Sequence, residues 1–115
     1  MEIICYKKCG TCNKLEKQLN EKGVKYTYRH IDVDNPTKEE IKLWHEKTGL
    51  DIKRFFNTSG RLYKEMNLKE KLNHMTLEEK YDLLASDGLL VKRPIILLED
   101  QILIGPDAKK YGENL

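Results

Sequence analysis

No apolar run in this sequence approaches the roughly 18 residues that a membrane-spanning helix needs, and Met1-Glu2-Ile3 opens straight into a strand pattern without the segments of a secretory leader. Neither a membrane nor export is expected, and the reading is a cytoplasmic protein. A dominant charge sign is missing as well. Lys plus Arg number 21 against 19 for Asp plus Glu, a net charge of +2, which gives no footprint for direct nucleic-acid binding. The three histidines, His30, His45 and His74, are scattered over separate elements and receive no catalytic role. Three cysteines cannot all pair within the chain. No second Cys-x-x-Cys and no His-x-x-x-His supplies the four ligands of a structural zinc site, so no metal or organic cofactor is implied. Internal repeats and low-complexity segments are absent too. Hydrophobic residues are only 39% and charged residues 35% of the 115, which suits one domain with a thin core under solvated helices. A monomer is expected.

What the chain does contain is Cys9-Gly10-Thr11-Cys12 between an apolar strand and a helix. Ile3-Ile4-Cys5-Tyr6 reads as a short buried strand, and Leu15 and Leu19 continue a helical stripe begun at Cys12. Cys9 therefore falls at the strand-to-helix turn. There the first helical N–H groups are unpaired and partly positive, and Lys7 and Lys8 add full charges. A thiol at such a helix start has its pKa lowered into a range of about 3.5 to 7.5 from about 8.5, and the thiolate is the nucleophile. In the cytosol a Cys-x-x-Cys is more often catalytic, redox-sensing or metal-binding than structural. Cys5, inside the strand, reads as a buried small hydrophobe, although its end of the strand lies near the reactive turn.

Along the chain the spacing predicts a strand over 3–6, a helix over 11–22 capped by Gly23, and a second strand from Val24 to about Val33. These three form a βαβ unit with parallel strands and a right-handed crossover. After Asn35-Pro36, Thr37 with Glu40 is a capping box that opens a helix over 38–47, stopped by Gly49. A short helix over 51–56 would bury Phe55 and Phe56, with Trp44 also in the core. A polar loop over 57–60 and two short helical pieces over 62–72 follow. Thr76 with Glu79 is a second capping box, opening a helix expected to carry Leu77, Tyr81 and Leu84 inward. Ile95-Ile96-Leu97-Leu98 reads as a strand buried on both faces. Residues 101–104 are its hairpin partner, and Asp107 to Tyr111 a last helical turn.

The resulting order is βαβ, a helical block, then ββα. It is a thioredoxin-like α/β arrangement, a four-stranded mixed sheet with thioredoxin-like ends over 1–35 and 89–115 and a helical insertion over 36–88. Arg93-Pro94 lies where such folds place a cis proline. The motifs Cys9-Gly10-Thr11-Cys12, Phe55-Phe56-Asn57-Thr58-Ser59-Gly60 and Arg93-Pro94-Ile95-Ile96 together resemble the arsenate reductase-like proteins of glutaredoxin-related fold, which include the Spx-type transcriptional regulators. The resemblance covers nearly the whole chain. It implies that Cys9 is the catalytic cysteine, that Arg93 matches an arginine holding the oxyanion, and that Gly10, Thr11 and Pro94 shape the site.

Two departures shape the expected function. Reductases of this type bring three arginines to the oxyanion. Here Asn57 and Gly105 stand at two of those positions, and Arg54 and Arg61 lie nearby but off the motif. Neither Asn nor Gly can grip two oxyanion oxygens as a guanidinium fork does, which counts against arsenate reduction. Cys12 stands where those reductases commonly carry serine, whereas the Spx-type proteins carry a second cysteine. The resemblance thus implies a thiol-disulfide oxidoreductase with Cys9 as nucleophile and Cys12 as resolving thiol, reduced by glutathione, glutaredoxin or thioredoxin. The alternative it implies is an Spx-type redox-switched regulator that binds RNA polymerase.

Overall fold

The computed structural model describes residues 1–115. Its elements run β1 (Glu2–Cys5), α1 (Gly10–Glu21), β2 (Thr27–His30), α2 (Lys38–Thr48), α3 (Arg61–Glu65), α4 (Leu68–Lys71), α5 (Leu77–Ser86), β3 (Ile95–Leu97), β4 (Ile102–Ile104) and α6 (Pro106–Glu113). Three short 3-10 turns, Ile52–Phe55, Leu72–His74 and Gly88–Leu90, join the middle elements. The strands form one mixed sheet in the order β2-β1-β3-β4. β1 runs parallel to β2, with Ile3 opposite Tyr28, and antiparallel to β3, with Ile3 opposite Ile96. β4 returns antiparallel to β3. This is the thioredoxin-like α/β arrangement expected from the order of motifs. Two compact units divide the chain: residues 1–31 with 93–115, and residues 32–92.

In the first unit, alternation along β1 sends Ile3 and Cys5 to the same face of the sheet. The α1 stripe of Cys12, Leu15 and Leu19 packs there with Ile3, Cys5, Ile96 and Ala108 of α6. Full burial of a leucine contributes about 1.5–3 kcal/mol, so Leu15 and Leu19 pin α1 against β1 and fix where the helix begins. α6 lies close to α1 because Gly112 has no side chain. A Cβ there would meet Leu15 Cδ1 at 2.8 Å.

β2 is shorter than the alternation predicts. It spans Thr27–His30, with Val24 outside it and Val33 81% exposed. A ladder needs a partner, and β1 is only four residues long. Pairing closes with the Ile31 N–H donating to the Cys5 carbonyl at 2.9 Å, after which the chain turns. α6, by contrast, is longer than the single turn expected, since Pro106 supplies a preset φ at its first position.

The second unit is helical throughout, apart from one bridge between Phe56 and Val91. Both capping boxes form. The Glu40 N–H donates to Thr37 Oγ1 at 3.1 Å while the Thr37 N–H donates to Glu40 Oε1 at 3.0 Å, and Thr76 with Glu79 repeats the pattern. Gly49 ends α2 at φ 66°, in the left-handed region. Trp44, Phe55, Phe56, Tyr81 and Leu84 are buried, as predicted, and so is Ile41. Leu77 is not. It is 45% exposed, because it opens α5 and its side chain belongs to the first turn, ahead of the buried stretch that starts at Tyr81. His45 Nδ1 and Tyr81 Oη share a 2.6 Å hydrogen bond, and the His45 ring meets Phe55 edge-on at 5.7 Å. This histidine is part of the core packing. No helix of the protein is long and apolar enough to cross a membrane.

Candidate active site around Cys9 and Cys12

β1 ends at Cys5 and α1 begins at Gly10, so only Tyr6 to Cys9 connect them. Two bonds hold this turn. The Cys9 N–H donates to the Tyr6 carbonyl at 3.0 Å, and Asn13 Nδ2 reaches back to the Lys7 carbonyl at 3.0 Å. Cys9 is the N-cap residue of α1, with φ −101° and ψ 119°, and its side chain makes no capping hydrogen bond. Its sulfur is thus half-buried at the helix start, not engaged as a cap, and packs against the core cluster.

Cys12 lies one turn further along and is fully buried. The Tyr6 N–H donates to Cys12 Sγ at 3.4 Å. Cys5 lies in the same buried cluster as Cys12, and Cys9 packs against that cluster. The Cys12 thiol is lowered to about 7. The chief cause is the Cys5 hydrogen bond, opposed by burial and reinforced by the Tyr6 N–H, the Cys9 hydrogen bond and the charge of Arg93. Cys5 is pushed strongly upward, first by the same hydrogen bond and then by burial. A bond between two thiols does not by itself decide which sulfur keeps the proton. Here the Tyr6 N–H and the Arg93 charge both favour the anion on Cys12.

Arg93 reaches the site from the chain entering β3. Its guanidinium lies over the Tyr6 ring, 5.2 Å from the centroid. The Arg93-Pro94 peptide is cis, as expected, and the Pro94 carbonyl accepts the Gly105 N–H at 2.8 Å. Lys7 behaves differently from the sequence expectation of a free charge beside Cys9. Its ammonium lies 3.1 Å from Glu16 Oε2 and 4.0 Å from the centroid of the Tyr28 ring, so a neighbouring carboxylate already compensates it. Asn57, in the second unit, is 8% exposed, and its N–H donates to the Leu90 carbonyl at 2.8 Å. Arg61 pairs with Glu65 at 2.7 Å.

The structure thus brings Cys9, Cys12 and Arg93 to one end of β1 and adds two groups that sequence reasoning did not assign. These are the Tyr6 backbone N–H and Cys5. The signal for Cys5 was present, since strand alternation and the helical stripe place Cys5 and Cys12 on facing surfaces of the βα unit. The Tyr6 N–H carries no sequence signal, because any residue supplies one.

Comparison with known proteins matches residues 5–114 to the ArsC family. The uncharacterized protein YusI of Bacillus subtilis is 50% identical over 109 residues, 95% of this chain and 92% of that protein. The regulatory protein MgsR of Bacillus subtilis is 29% identical, covering 87% of this chain and 78% of MgsR. The global transcriptional regulator Spx 2 of Bacillus anthracis is 27% identical, covering 84% and 72%. Among solved structures, an ArsC family related protein of Bacteroides fragilis superposes with a TM-score of 0.88 at 46% identity, over 97% of this chain and 94% of that one. An arsenate reductase from Vibrio cholerae superposes with a TM-score of 0.81 at 23% identity, over 100% and 98%, which speaks to the fold alone.

Proposed function

The chain belongs to the ArsC family, and from that starting point we propose that it is a thiol-disulfide oxidoreductase in which Cys9 attacks and Cys12 resolves. The Cys9 thiolate attacks one sulfur of a substrate disulfide. A mixed disulfide with Cys9 forms, the substrate S–S bond breaks, and the other half departs as a thiolate. Cys12 Sγ then attacks Cys9 Sγ, closing the Cys9–Cys12 bond and releasing the second half as a thiolate. Two electrons have passed from the protein to the substrate. Two glutathione thiols, or the dithiol of a thioredoxin or glutaredoxin, return them.

The observation that carries this reading is the state of Cys12. A resolving thiol works best with a pKa near ambient pH, where a large thiolate fraction coincides with good nucleophilicity. The value of about 7 meets that condition, three residues from a half-buried Cys9. Arg93 supports the Cys12 thiolate electrostatically from above the Tyr6 ring. Gly10 and Thr11 start the helix whose unpaired N–H groups face the same end. The family's oxyanion chemistry is outside the proposal, since Asn57 and Gly105 replace arginines.

The test is mass spectrometry of the protein after exposure to oxidised glutathione. Wild-type should lose two hydrogen atoms as an internal disulfide, Cys12→Ser should accumulate a glutathione adduct on Cys9, and Cys9→Ser should do neither. Full exchange activity in Cys9→Ser would overturn the assignment.

A second reading is favoured by two of the relatives, MgsR and Spx 2, whose names are those of regulators. In it the same dithiol gates a protein interface, with RNA polymerase as the partner, and the chain works as a monomer in the cytoplasm. It predicts that polymerase retention from a cell extract differs between reduced and oxidised protein. Equal retention by both, or none, rules it out.

A further inference from the structure

Outside the dithiol site, one hollow in the second unit joins an apolar floor to unpaired cations. It measures about 210 Å³ and is lined by residues between Asp51 and Lys80. Ile52 comes from the first 3-10 turn, Phe56 from the residue after that turn, Tyr63 from α3 and Leu72 from the second 3-10 turn. All four are buried. The more exposed part of the lining carries Lys53, Lys69 of α4 and Lys80 of α5. We propose that this hollow binds a small aromatic carboxylate, a one-ring acid, with its ring on the apolar floor and its carboxylate among the three lysines.

Charge selects an anion. Three lysines line the hollow against one carboxylate, that of Asp51. None of the three is in an ion pair, unlike Lys7 with Glu16 or Lys38 with Glu78 and Asp82. Asp51 is already engaged, since its Oδ1 accepts the Lys53 N–H at 2.9 Å at the start of the 3-10 turn. Each exposed lysine contributes only a modest attraction, so an anion is held here only if the floor holds the rest of the molecule.

Size and shape select that remainder. A cavity of about 150 Å³ accepts benzene, whereas drug-sized ligands occupy pockets of about 300–1,000 Å³. At about 210 Å³ the hollow takes one ring and its substituent, not two rings. The Phe56 and Tyr63 rings, with centroids 6.3 Å apart and planes inclined at 57°, offer edge and offset-face contacts to a third ring. Tyr63 also brings a polar group. It is 4% exposed, and its hydroxyl has no hydrogen-bond partner in the chain yet is not sealed inside the core. A hydroxyl so placed is stabilised by an oxygen that accepts from it, and a carboxylate supplies one while facing the lysines with the other.

The experiment titrates the full chain with sodium benzoate and follows it by heteronuclear NMR. Shifts should saturate at millimolar benzoate, as befits so few ligand atoms, and its ring protons should give nuclear Overhauser contacts to the Ile52 and Leu72 methyl groups. Benzamide keeps the ring without the charge and should bind about tenfold more weakly, since three modest attractions are lost together. Inorganic phosphate keeps the charge without the ring and should not saturate in the same range. Lys69→Gln and Lys80→Gln, neither residue being buried, should each weaken benzoate about two- to fivefold. Tyr63→Phe should weaken it about two- to tenfold while the contacts to Ile52 and Leu72 persist.

Benzoate that does not saturate, or that saturates without contacts to Ile52 and Leu72, overturns the proposal. Benzamide binding as tightly as benzoate overturns it too, because the lysines then select nothing. So does phosphate binding as tightly as benzoate, which would leave a cation patch with no use for the floor. A Phe-Asp peptide that shifts the same signals where benzoate does not overturns the small acid in favour of a protein segment. Binding is read without any redox step, so failure of the exchange reading at Cys9 and Cys12 leaves the result untouched.

Discussion

The backbone N–H of Tyr6 donates to Cys12 Sγ across 3.4 Å, which ties the end of β1 to the first turn of α1 through the sulfur of the proposed reaction. A backbone donor cannot rotate away as a side chain can. Separation of α1 from β1 would lengthen this bond and withdraw its support from the Cys12 thiolate.

Alkylation of the reduced protein should show Cys12 reacting with a midpoint near pH 7, the value to which its neighbours lower it. Cys5 is as buried as Cys12 but its thiol is pushed strongly upward, so it should stay unreactive over the range in which Cys12 is modified. Peptide-resolved mass spectrometry over pH 5 to 10 reads both, and early modification of Cys5 would contradict this placement.

Stability of the reduced protein should rise between about pH 7 and pH 9. Cys12 has a folded value of about 7 against an ordinary 9.0, so in that window the unfolded chain binds more protons and stability climbs with pH. The stabilisation is present above the unfolded value and lost as pH falls through the folded one. Its size is about 2 kcal/mol. Above pH 9 the raised Cys5 acts in the opposite sense and halts the climb. Urea melts at pH 7 and pH 9 should show the gain in wild-type and lose it in Cys12→Ala.

Arg93→Met removes the charge over Tyr6 while keeping an unbranched stem. The Cys12 midpoint should rise by a modest amount, because the Arg93 charge is the weakest of the downward causes acting on that thiol. Arg93→Lys should retain part of the effect, since an ammonium keeps the charge but not the planar stacking on the ring. Matching midpoints in all three proteins would remove Arg93 from the site.

Gly112→Ala should destabilise the protein by about 1 kcal/mol. Alanine gains about 1 kcal/mol of helix propensity over glycine, but overpacking a filled interior costs about 1–3 kcal/mol. The added Cβ would lie 2.8 Å from Leu15 Cδ1 and against the Gln18 side chain. Gln18 can move aside. Leu15, 1% exposed, has no free space to enter, so the overpacking term wins. A urea midpoint equal to or above wild-type would show that α6 yields.

Thr37→Ala should cost about 1 kcal/mol by releasing the Glu40 N–H from its cap. Thr76→Ala should cost about the same through Glu79. The paired boxes make an internal control, and unequal losses would show that one helix start is held by more than its cap.

Local chemistry determined much of this protein from sequence alone. The capping boxes at Thr37 and Thr76, the left-handed stop at Gly49, the strand at Ile3 and Ile4, the Cys-x-x-Cys at a helix start and the cis Arg93-Pro94 bond were legible because each depends on residues within a few positions of one another or on a motif that travels with its fold. The short β2, the exposed Leu77 and the length of α6 were not. A strand extends only as far as its partner, and an apolar residue is buried only where something packs upon it. The largest gap lay at Cys12. The sequence placed two thiols three residues apart and drew attention to the first, whereas nothing in the spacing signalled the lowering of the second to about 7. That outcome needs the Tyr6 N–H and the Arg93 charge to reach Cys12 inside the buried cluster. Spacing along the chain orders the residues of a turn, whereas the balance between burial and donated hydrogen bonds exists only once the strand and the helix have packed.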